Sequence, residues 1–309
     1  MTQSVTPILR IGTRGSPLAL VQARMVRALL AKAHAVSEEA IELVIIRTTG
    51  DAIQDRPLSE VGGKGLFTKE IEEALLGNRI DLAVHSAKDM PTFSQPGLTL
   101  TACLEREDPR DVFISRKAKS FADLPQGATL GTASLRRQAI AKAKRPDLQV
   151  VPLRGNVETR LRKLDSGEVD ATMLALAGLK RLGLTEHATH IMPVEEFLPA
   201  VAQGAIGLEA RTDDSRTRDM LARINHADTF IAVACERAFL AELDGSCKTP
   251  IGGHATRDGD TLRFRGLLAH PDGAPSIANE SYGARSDAIK IGTEAGRAIK
   301  RDGDPRLFG

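Results

Sequence analysis

Cys247 is the residue whose type and surroundings offer the clearest chemistry in this sequence. It lies within residues 244–253, a stretch with glycine or proline at positions 245, 250, 252 and 253, and this composition is typical of a turn or an irregular loop. A thiol in such a loop, next to Lys248, is expected to be accessible and partly ionised. The pattern predicts a point of covalent attachment, and the alternative is a surface cysteine without a role.

Arginines follow several predicted strands, at the positions where ligands of open α/β sheets bind. Ser134 is a good N-cap, which places Arg136 and Arg137 in the first turn of a helix, where the helix dipole disfavours cations. Cations beside unpaired backbone N–H groups can form an anion site, whereas solvated surface arginines are the alternative. Because guanidinium groups bind carboxylates through paired hydrogen bonds, we interpret the set as a site for a ligand with several carboxylates. Its other members are Arg14, Arg154, Arg160 and Arg181.

Asp89 stands out among the acidic residues. It follows a predicted strand at residues 80–85, and Pro91 keeps Met90 extended. A carboxylate among arginines disfavours an anionic ligand unless it stabilises a developing cation or moves a proton. Asp89 is therefore a candidate catalytic residue, and the alternative is an aspartate paired with Lys88 or with a nearby arginine.

Other chemical motifs are incomplete. Residues 61–65 resemble a phosphate-binding loop only loosely and lack the spacing of a P-loop, so we expect a flexible loop that closes over the ligand. His187 and His190 have no third ligand in evident reach, and no metal site is predicted. The nucleophilic-serine motif G-x-S-x-G does not occur.

Composition limits the classes of protein to which the chain can belong. Its 309 residues suggest two or three domains. A net charge of +2 and an aromatic content of 3%, without tryptophan, argue against a nucleic-acid partner. No signal peptide and no apolar run of about 18 residues are evident, so we predict no membrane span. Cys103 and Cys235 lie in apolar segments that predict burial, and three cysteines make no disulfide framework. We therefore expect a cytoplasmic protein.

The elements that must position these residues alternate between strand and helix, as in an α/β fold with a largely parallel sheet. In the first set we predict strands at 8–12, 41–47 and 80–85 and helices from Ser16-Pro17 to about residue 34 and at 67–77. In the second set we predict strands at 111–115, 128–131, 148–153 and 170–176 and helices at 135–144, 156–166 and 177–182. From about residue 227 we predict a long helix, two or three strands between 251 and 283, and a last helix at 286–301.

Two crossing segments, 105–110 and 198–204, connect the two α/β sets, and residues 205–209 are expected to return as a strand to the first set. This pattern predicts two α/β lobes with a central cleft and a smaller α+β C-terminal domain. The predicted domains are residues 1–104 with 204–224, residues 105–203, and residues 225–309, the last of which carries Cys247.

Taken together, these segments resemble the porphobilinogen deaminase (hydroxymethylbilane synthase) family over nearly the whole chain. The most specific pieces are residues 61–67, 83–91, 131–137, 153–160, 177–184 and 245–252. The resemblance implies three domains, two of them similar to periplasmic binding proteins, which agrees with the predicted α/β lobes. It also implies a monomer.

The resemblance implies a transferase of tetrapyrrole biosynthesis. In this family, four porphobilinogen units are deaminated and joined head to tail onto a dipyrromethane cofactor, and water then releases hydroxymethylbilane. By resemblance, Cys247 holds the dipyrromethane through a thioether, and Asp89 is the catalytic carboxylate that stabilises the cation left when ammonia departs. The other cofactor-binding positions implied are Ser86, Lys88, Ser134, Arg136, Arg137, Arg154 and Gly155, with Asp89 also in contact. The substrate-binding positions implied are Arg14, Arg154, Arg160 and Arg181.

Two alternatives come from other classes of protein. A non-catalytic carboxylate-binding protein with the same two lobes would explain the arginines but would leave Cys247 and Asp89 without a task. A nucleic-acid binder could use residues 136–162, but neither a reading element nor stacking aromatics accompany them.

Overall fold

The computed structural model describes residues 7–52, 67–245 and 249–308. Within these ranges the strands are β1 (Leu9–Thr13), β2 (Ile41–Ile45), β3 (Leu82–Ser86), β4 (Leu98–Cys103), β5 (Asp111–Ser115), β6 (Thr129–Gly131), β7 (Gln149–Val151), β8 (Ala171–Ala175), β9 (His190–Ile191), β10 (Ile206–Arg211), β11 (Ile251–Asp258), β12 (Thr261–Ala269) and β13 (Ser276–Ala284). The helices are α1 (Pro17–His34), α2 (Thr49–Ala52), α3 (Lys69–Leu76), α4 (Leu135–Lys144), α5 (Val157–Asp165), α6 (Leu176–Leu182), α7 (Ser215–Ala222), α8 (Ala227–Glu242) and α9 (Ala288–Asp302).

The chain divides into two structural units. The first unit comprises Met1–Arg106 and Ala205–Phe230, and the second comprises Glu107–Gly204 and Ile231–Gly309. The described parts of each unit contain a five-stranded α/β sheet, and the second unit also contains a three-stranded sheet. The three-domain boundaries given above remain a prediction.

The sheet of the first unit has the strand order β2-β1-β3-β10-β4. Strand β1 pairs in parallel with β2 and β3, whereas β10 is antiparallel to both β3 and β4. One face packs on α1 through residues such as Val26, Leu30 and Leu82, and the other packs on α3 through residues that include Ile71 and Leu75. Because both faces are covered, the central strand β3 is buried along most of its length and begins with the apolar residues Leu82, Ala83 and Val84.

The five-stranded sheet of the second unit has the order β7-β6-β8-β5-β9. Strand β6 is parallel to β7 and β8, and β5 is antiparallel to β8 and β9. In each of these two sheets, therefore, one described strand runs against the other four. That strand is in each case the first one after a crossing segment: β5 follows residues 105–110, and β10 follows residues 198–204.

The C-terminal part of the second unit is an antiparallel sheet, β11-β12-β13, with α8 and α9. The two helices approach closely at Gly292, where an added Cβ would lie 2.0 Å from the carbonyl oxygen of Cys235. Only glycine allows this backbone contact. The thiol of Cys235 is buried, as predicted from its apolar segment, and burial is the main reason that its pKa is raised to about 12.

The predicted fold class is confirmed: two α/β sheets are followed by a smaller α+β part. The predicted helix at 135–144 has the observed bounds, and the predicted return of the chain after residue 204 is strand β10. Helix α7 and the short strand β9 were not predicted. No helix within the described ranges is both long and apolar enough to cross a membrane.

Candidate functional site

Asp89 lies immediately beyond the C-terminal end of β3. The strand ends at Ser86, and a single 3-10 turn, Ala87–Asp89, follows it. The side chain of Asp89 is exposed. Among the residues that the structure describes, no hydrogen bond or ion pair involves its carboxylate. The pairing of Asp89 with Lys88 or an arginine, which was the alternative to a catalytic role, is therefore not observed.

The residues predicted around Asp89 have contacts of their own. Ser86 Oγ accepts a hydrogen bond of 2.9 Å from Gln22 Nε2, and Gln22 is buried on α1. The guanidinium of Arg14 lies over the ring of Phe67, 4.2 Å from its centroid, which is a favourable cation–π distance. Lys88 is partly buried beside Asp89 in the 3-10 turn. The first unit thus brings Ser86, Lys88 and Asp89 to the end of one strand.

Arg136 and Arg137 occupy the first turn of α4, as predicted, and Ser134 caps this helix by accepting a hydrogen bond from the Arg137 backbone N–H. Both side chains are buried, with exposed fractions of 4% and 5%. Arg136 Nη1 lies 2.7 Å from Asp111 Oδ2, and Arg137 Nη2 lies 2.7 Å from Asp111 Oδ1. The two arginines therefore converge on one carboxylate in the interior of the second unit.

The charges of this cluster do not cancel, because two guanidinium groups face one carboxylate. Burial by itself would raise the pKa of Asp111, but the two arginines outweigh burial and hold this pKa well below its usual range. Burial lowers the pKa of Arg136. The Nε atom of Arg136 is buried and has no hydrogen-bond partner among the described residues. The cluster retains one positive charge and one unused donor, which suits an anionic ligand group.

Arg154, Gly155 and Arg160 lie where β7 leads into α5. Gly155 has a φ of +115°, and an added Cβ would lie 2.6 Å from Thr159 Cγ2, so this position requires glycine. Asn156 caps α5 by accepting a hydrogen bond of 2.8 Å from Thr159 N. Arg160 Nε donates to the carbonyl oxygen of Gly155 at 2.9 Å. This hydrogen bond connects the loop before α5 to the first turn of the helix.

Arg181 lies near the end of α6. Its Nη2 donates to the carbonyl oxygen of Gly204 at 2.6 Å, whereas its Nε is buried and without a hydrogen-bond partner in the described ranges. Burial lowers the pKa of Arg181, and the negative charge of Glu107 opposes this change. Glu107 itself forms an ion pair of 2.7 Å with Lys180. Arg181 is therefore a second, partly buried cation whose Nε has no partner among the described residues.

Cys247 lies outside the described residues, as do residues 61–65. The described residues nearest to the cysteine are Gly245, which follows the end of α8, and Thr249, just before β11. The role of Cys247 therefore stays a prediction. Within the described ranges, no group of three or more histidine, cysteine, aspartate or glutamate side chains is placed to hold a metal ion.

Sequence reasoning missed the residues that hold the arginine pair. Asp111 begins β5 and is fully buried, and Gln203 Nε2 donates to its Oδ1 at 2.9 Å and to the carbonyl oxygen of Pro109 at 2.6 Å. The available signal was the position of Asp111 as the only charged residue of an otherwise apolar strand at residues 111–115. An acid in such a position is buried and needs a cationic partner.

These features define an α/β protein with two buried arginines at the start of one helix and with an exposed carboxylate at a strand end that no described residue pairs with. The family comparison is more specific. The family model described as "Porphobilinogen deaminase, dipyromethane cofactor binding domain" matches residues 9–219, and the model described as "Porphobilinogen deaminase, C-terminal domain" matches residues 230–301. This chain belongs to the porphobilinogen deaminase family, a family of transferases of tetrapyrrole biosynthesis that carry a dipyrromethane cofactor.

Two curated relatives support this assignment. Proteins named porphobilinogen deaminase from Nitrobacter winogradskyi and Nitrobacter hamburgensis are each 58% identical to this chain over 298 residues, covering 96% of the chain and 94% of each relative. Among solved structures, a periplasmic aliphatic sulphonate-binding protein from Escherichia coli is 13% identical, with a TM-score of 0.44 over 95% of this chain and 87% of its own. A TM-score this low says nothing about the site.

Proposed function

We propose that this chain joins four porphobilinogen units head to tail into hydroxymethylbilane, with loss of ammonia at each addition, on a dipyrromethane primer attached to Cys247 through a thioether. Membership of the porphobilinogen deaminase family supports the overall reaction. The observation that carries the assignment of roles is the carboxylate of Asp89 beyond β3, which is exposed and has no partner among the described residues. A non-catalytic carboxylate-binding protein would have no use for it.

The residues present fit a cofactor that bears carboxylates. The cluster of Arg136, Arg137 and Asp111 has an excess positive charge, and Arg136 Nε is a buried donor without a partner. When bound, the dipyrromethane supplies the pyrrole carbon to which the first substrate unit is added. The residues that we propose to hold it, besides Cys247 and Asp89, are Ser86, Lys88, Ser134, Arg136, Arg137, Arg154 and Gly155.

Asp89 would act by electrostatics. Its carboxylate can accept a hydrogen bond from a pyrrole N–H and stabilise the positive charge that develops on the substrate as ammonia leaves. A neutralised aspartate could not do this, so the absence of an ion pair at Asp89 among the described residues supports the role. We propose that the carboxylates of the substrate bind to Arg14, Arg154, Arg160 and Arg181.

The experiment that tests this proposal is the intact mass of the purified protein, followed by digestion to the peptide that contains Cys247. We expect an adduct equal to two linked pyrrole units on that peptide, and hydroxymethylbilane formation when porphobilinogen is added. The Cys247→Ala variant should remain folded, carry no adduct and lose activity. Cys235→Ala is the matched control, because it removes a buried thiol and should keep the adduct.

Three results would contradict the proposal. The first is an adduct on Cys103 or Cys235 in place of Cys247, and the second is a fully active Cys247→Ala variant. The third is a thiol that stays unmodified, with no tetrapyrrole formed, after incubation with porphobilinogen. This last result would favour the non-catalytic carboxylate-binding protein.

We further propose that the protein is a monomer located in the cytoplasm. The membership of the family supports this location. Light scattering coupled to size-exclusion chromatography should give a mass near the 33.1 kDa of one chain, and a mass of twice that value would overturn the monomer.

A further inference from the structure

Polar side chains hold the end of β3 on both faces of the sheet. On the α1 face, Ser86 bonds to Gln22. On the α3 face lie three titratable side chains to which no role has been assigned: Glu72 on α3, His85 on β3 and Glu209 on β10. Their exposed fractions are 8%, 5% and 1%, so all three are core residues.

The pairing of β3 with β10 brings His85 and Glu209 together. His85 lies opposite Gly207 in this antiparallel pair, and Glu209 is two residues further along β10. Because side chains alternate along a strand, Glu209 shares the face of His85 as its diagonal neighbour. His85 Nε2 lies 3.3 Å from Glu209 Oε2, which is close enough for an ion pair, although neither atom has a hydrogen-bond partner among the described residues. Glu72 interacts electrostatically with both, and burial raises its pKa.

A buried cluster of polar, titratable side chains lowers the stability of the folded state. Apolar residues of similar size at such positions often give equal or greater stability, because charged groups must lose their hydration. The apolar cluster on the same face of the sheet includes Ile71, Leu75 and Leu98. The pair of His85 and Glu209 specifies the register in which β3 and β10 pair. A slip of one residue would move one of the two side chains to the opposite face of the sheet and separate the pair.

The same two strands support the turn that carries Asp89. Ala87 N donates to the carbonyl oxygen of Ala205 at 3.0 Å, and Ala205 immediately precedes β10. Met90 N closes the turn on the carbonyl oxygen of Ala87 at 3.3 Å. A shift of β3 against β10 would therefore displace the 3-10 turn Ala87–Asp89.

We propose that His85 and Glu209 are positioning residues for Asp89: their buried pair fixes the end of β3, so that the following turn holds the Asp89 carboxylate where the reaction needs it. Neither residue is expected to contact substrate or cofactor. The inference rests on the role proposed for Asp89, but its structural part, the effect on the turn, can be measured independently of catalysis.

The test uses the cofactor-loaded Glu209→Gln variant, which keeps the size of the side chain and replaces its carboxyl group with an amide. Misplacing a catalytic group by about 1 Å can cost on the order of 100-fold in rate. We therefore expect kcat to fall by about 10- to 100-fold while KM and cofactor loading stay within about twofold of the wild type. Amide hydrogen exchange at Ala87 and Met90 should become about tenfold faster or more, because their hydrogen bonds depend on the register.

Two controls separate positioning from general loss of stability. Glu73→Gln removes an exposed charge from the same helix as Glu72. Thr217→Val removes a buried hydrogen bond to Asp214 elsewhere in the first unit. Both should leave kcat and the exchange of Ala87 and Met90 unchanged, although Thr217→Val should lower the melting temperature.

Unchanged exchange at Ala87 and Met90 in Glu209→Gln would overturn the positioning inference, as would a loss of kcat no larger than that of Thr217→Val at the same loss of stability. If Glu209→Gln does not fold, His85→Gln takes its place. If neither Glu209→Gln nor His85→Gln folds, the pair is required for folding itself, and the positioning inference is overturned as well. Faster exchange in a protein whose wild type makes no hydroxymethylbilane would instead contradict the proposed function and leave the positioning intact.

Discussion

The end of β3 and the start of α4 differ in whether their charged side chains are exposed or buried and paired. Beyond β3, Asp89 is exposed and no described residue neutralises it. At the start of α4, Arg136 and Arg137 are buried and bound to Asp111. The first region presents a charge without a partner, whereas the second keeps its charges in the interior with a partner already in place.

This difference follows from what each region is proposed to do. A carboxylate that stabilises charge appearing only during the reaction must be accessible, and any ion pair formed beforehand would weaken it. Arginines that bind the permanent charge of a cofactor can be buried, since Asp111 offsets much of their desolvation cost. Activity and stability should therefore be separable at Asp89 and inseparable at Asp111.

The largest effect is expected for Asp111→Asn. This change leaves two guanidinium groups buried without a counter-charge, and breaking a buried pair costs about 3–5 kcal/mol. Chemical denaturation should show this loss, and the intact mass should show less bound cofactor because Arg136 and Arg137 lose their support. Glu280→Gln is the matched control, since it breaks an ion pair with Arg263 in the same unit but at the surface and should change little. Wild-type stability of Asp111→Asn would contradict the distinction between the two regions.

Asp89→Asn should affect activity alone. We expect kcat to fall by about 100- to 1,000-fold, as when one group that stabilises transition-state charge is removed. The melting temperature should not change, because the side chain is exposed and unpaired among the described residues. Activity assays and thermal unfolding of the same preparation give both quantities. Near-normal turnover would show that Asp89 takes no part in the mechanism. A large drop in melting temperature would show that Asp89, like Asp111, contributes to stability as well as to activity.

Gly155→Ala tests whether one substitution in the loop before α5 lowers both the stability of the protein and its retention of the cofactor. An alanine must adopt the φ of +115° and approach Thr159, so we expect a cost of about 1–3 kcal/mol together with weaker cofactor retention. Gly167→Ala is the control: Gly167 also has a positive φ, of +78°, but no atom lies within 4 Å of an added Cβ. Equal effects of the two substitutions on cofactor retention would show that the loop plays no part in binding.

The smallest expected effect is on how the stability of the folded protein changes at low pH. Because the folded pKa of Asp111 lies below its unfolded value, its contribution to stability is fully present above the unfolded pKa of about 4 and is lost as the pH falls towards the folded pKa. Asp111→Asn should therefore lose less stability than the wild type when the pH is lowered from about 5 to 3, as measured by denaturant unfolding. Parallel pH profiles would contradict this role of Asp111.

Much of the local structure could be predicted from the sequence, because it depends on residues close together in the chain. Ser16 and Ser134 are N-caps as predicted, and α4 has the predicted bounds. Runs of apolar residues located most strands of both α/β sheets, although β9 was not predicted. The direction of β10 could not be predicted in this way, because it depends on pairing with β3 and β4, which lie about 100 residues earlier in the chain.

The candidate site shows the same division. The types of its residues, a cysteine in a glycine-rich loop, arginines at strand ends and an aspartate after an apolar strand, could be identified from the sequence, since each is a local pattern. The family was indicated by the resemblance of longer segments, such as residues 83–91 and 131–137. The partners of those residues were not predictable. Arg136 and Arg137 were expected to face a ligand, and whether a first-turn arginine points outwards or inwards depends on which distant residue packs beside it. Here that residue is Asp111.

The sequence by itself thus determined the order of most of the elements and the positions of the candidate catalytic and binding residues, and its segments carried the resemblance to the family. Only the tertiary structure decided which charges are paired: Asp89 exposed and unpaired among the described residues, Arg136 and Arg137 buried against Asp111, and His85 beside Glu209. The physical reason is that helix caps and apolar periodicity act over a few residues. Burial and ion pairing instead depend on contacts between segments that are far apart in the chain.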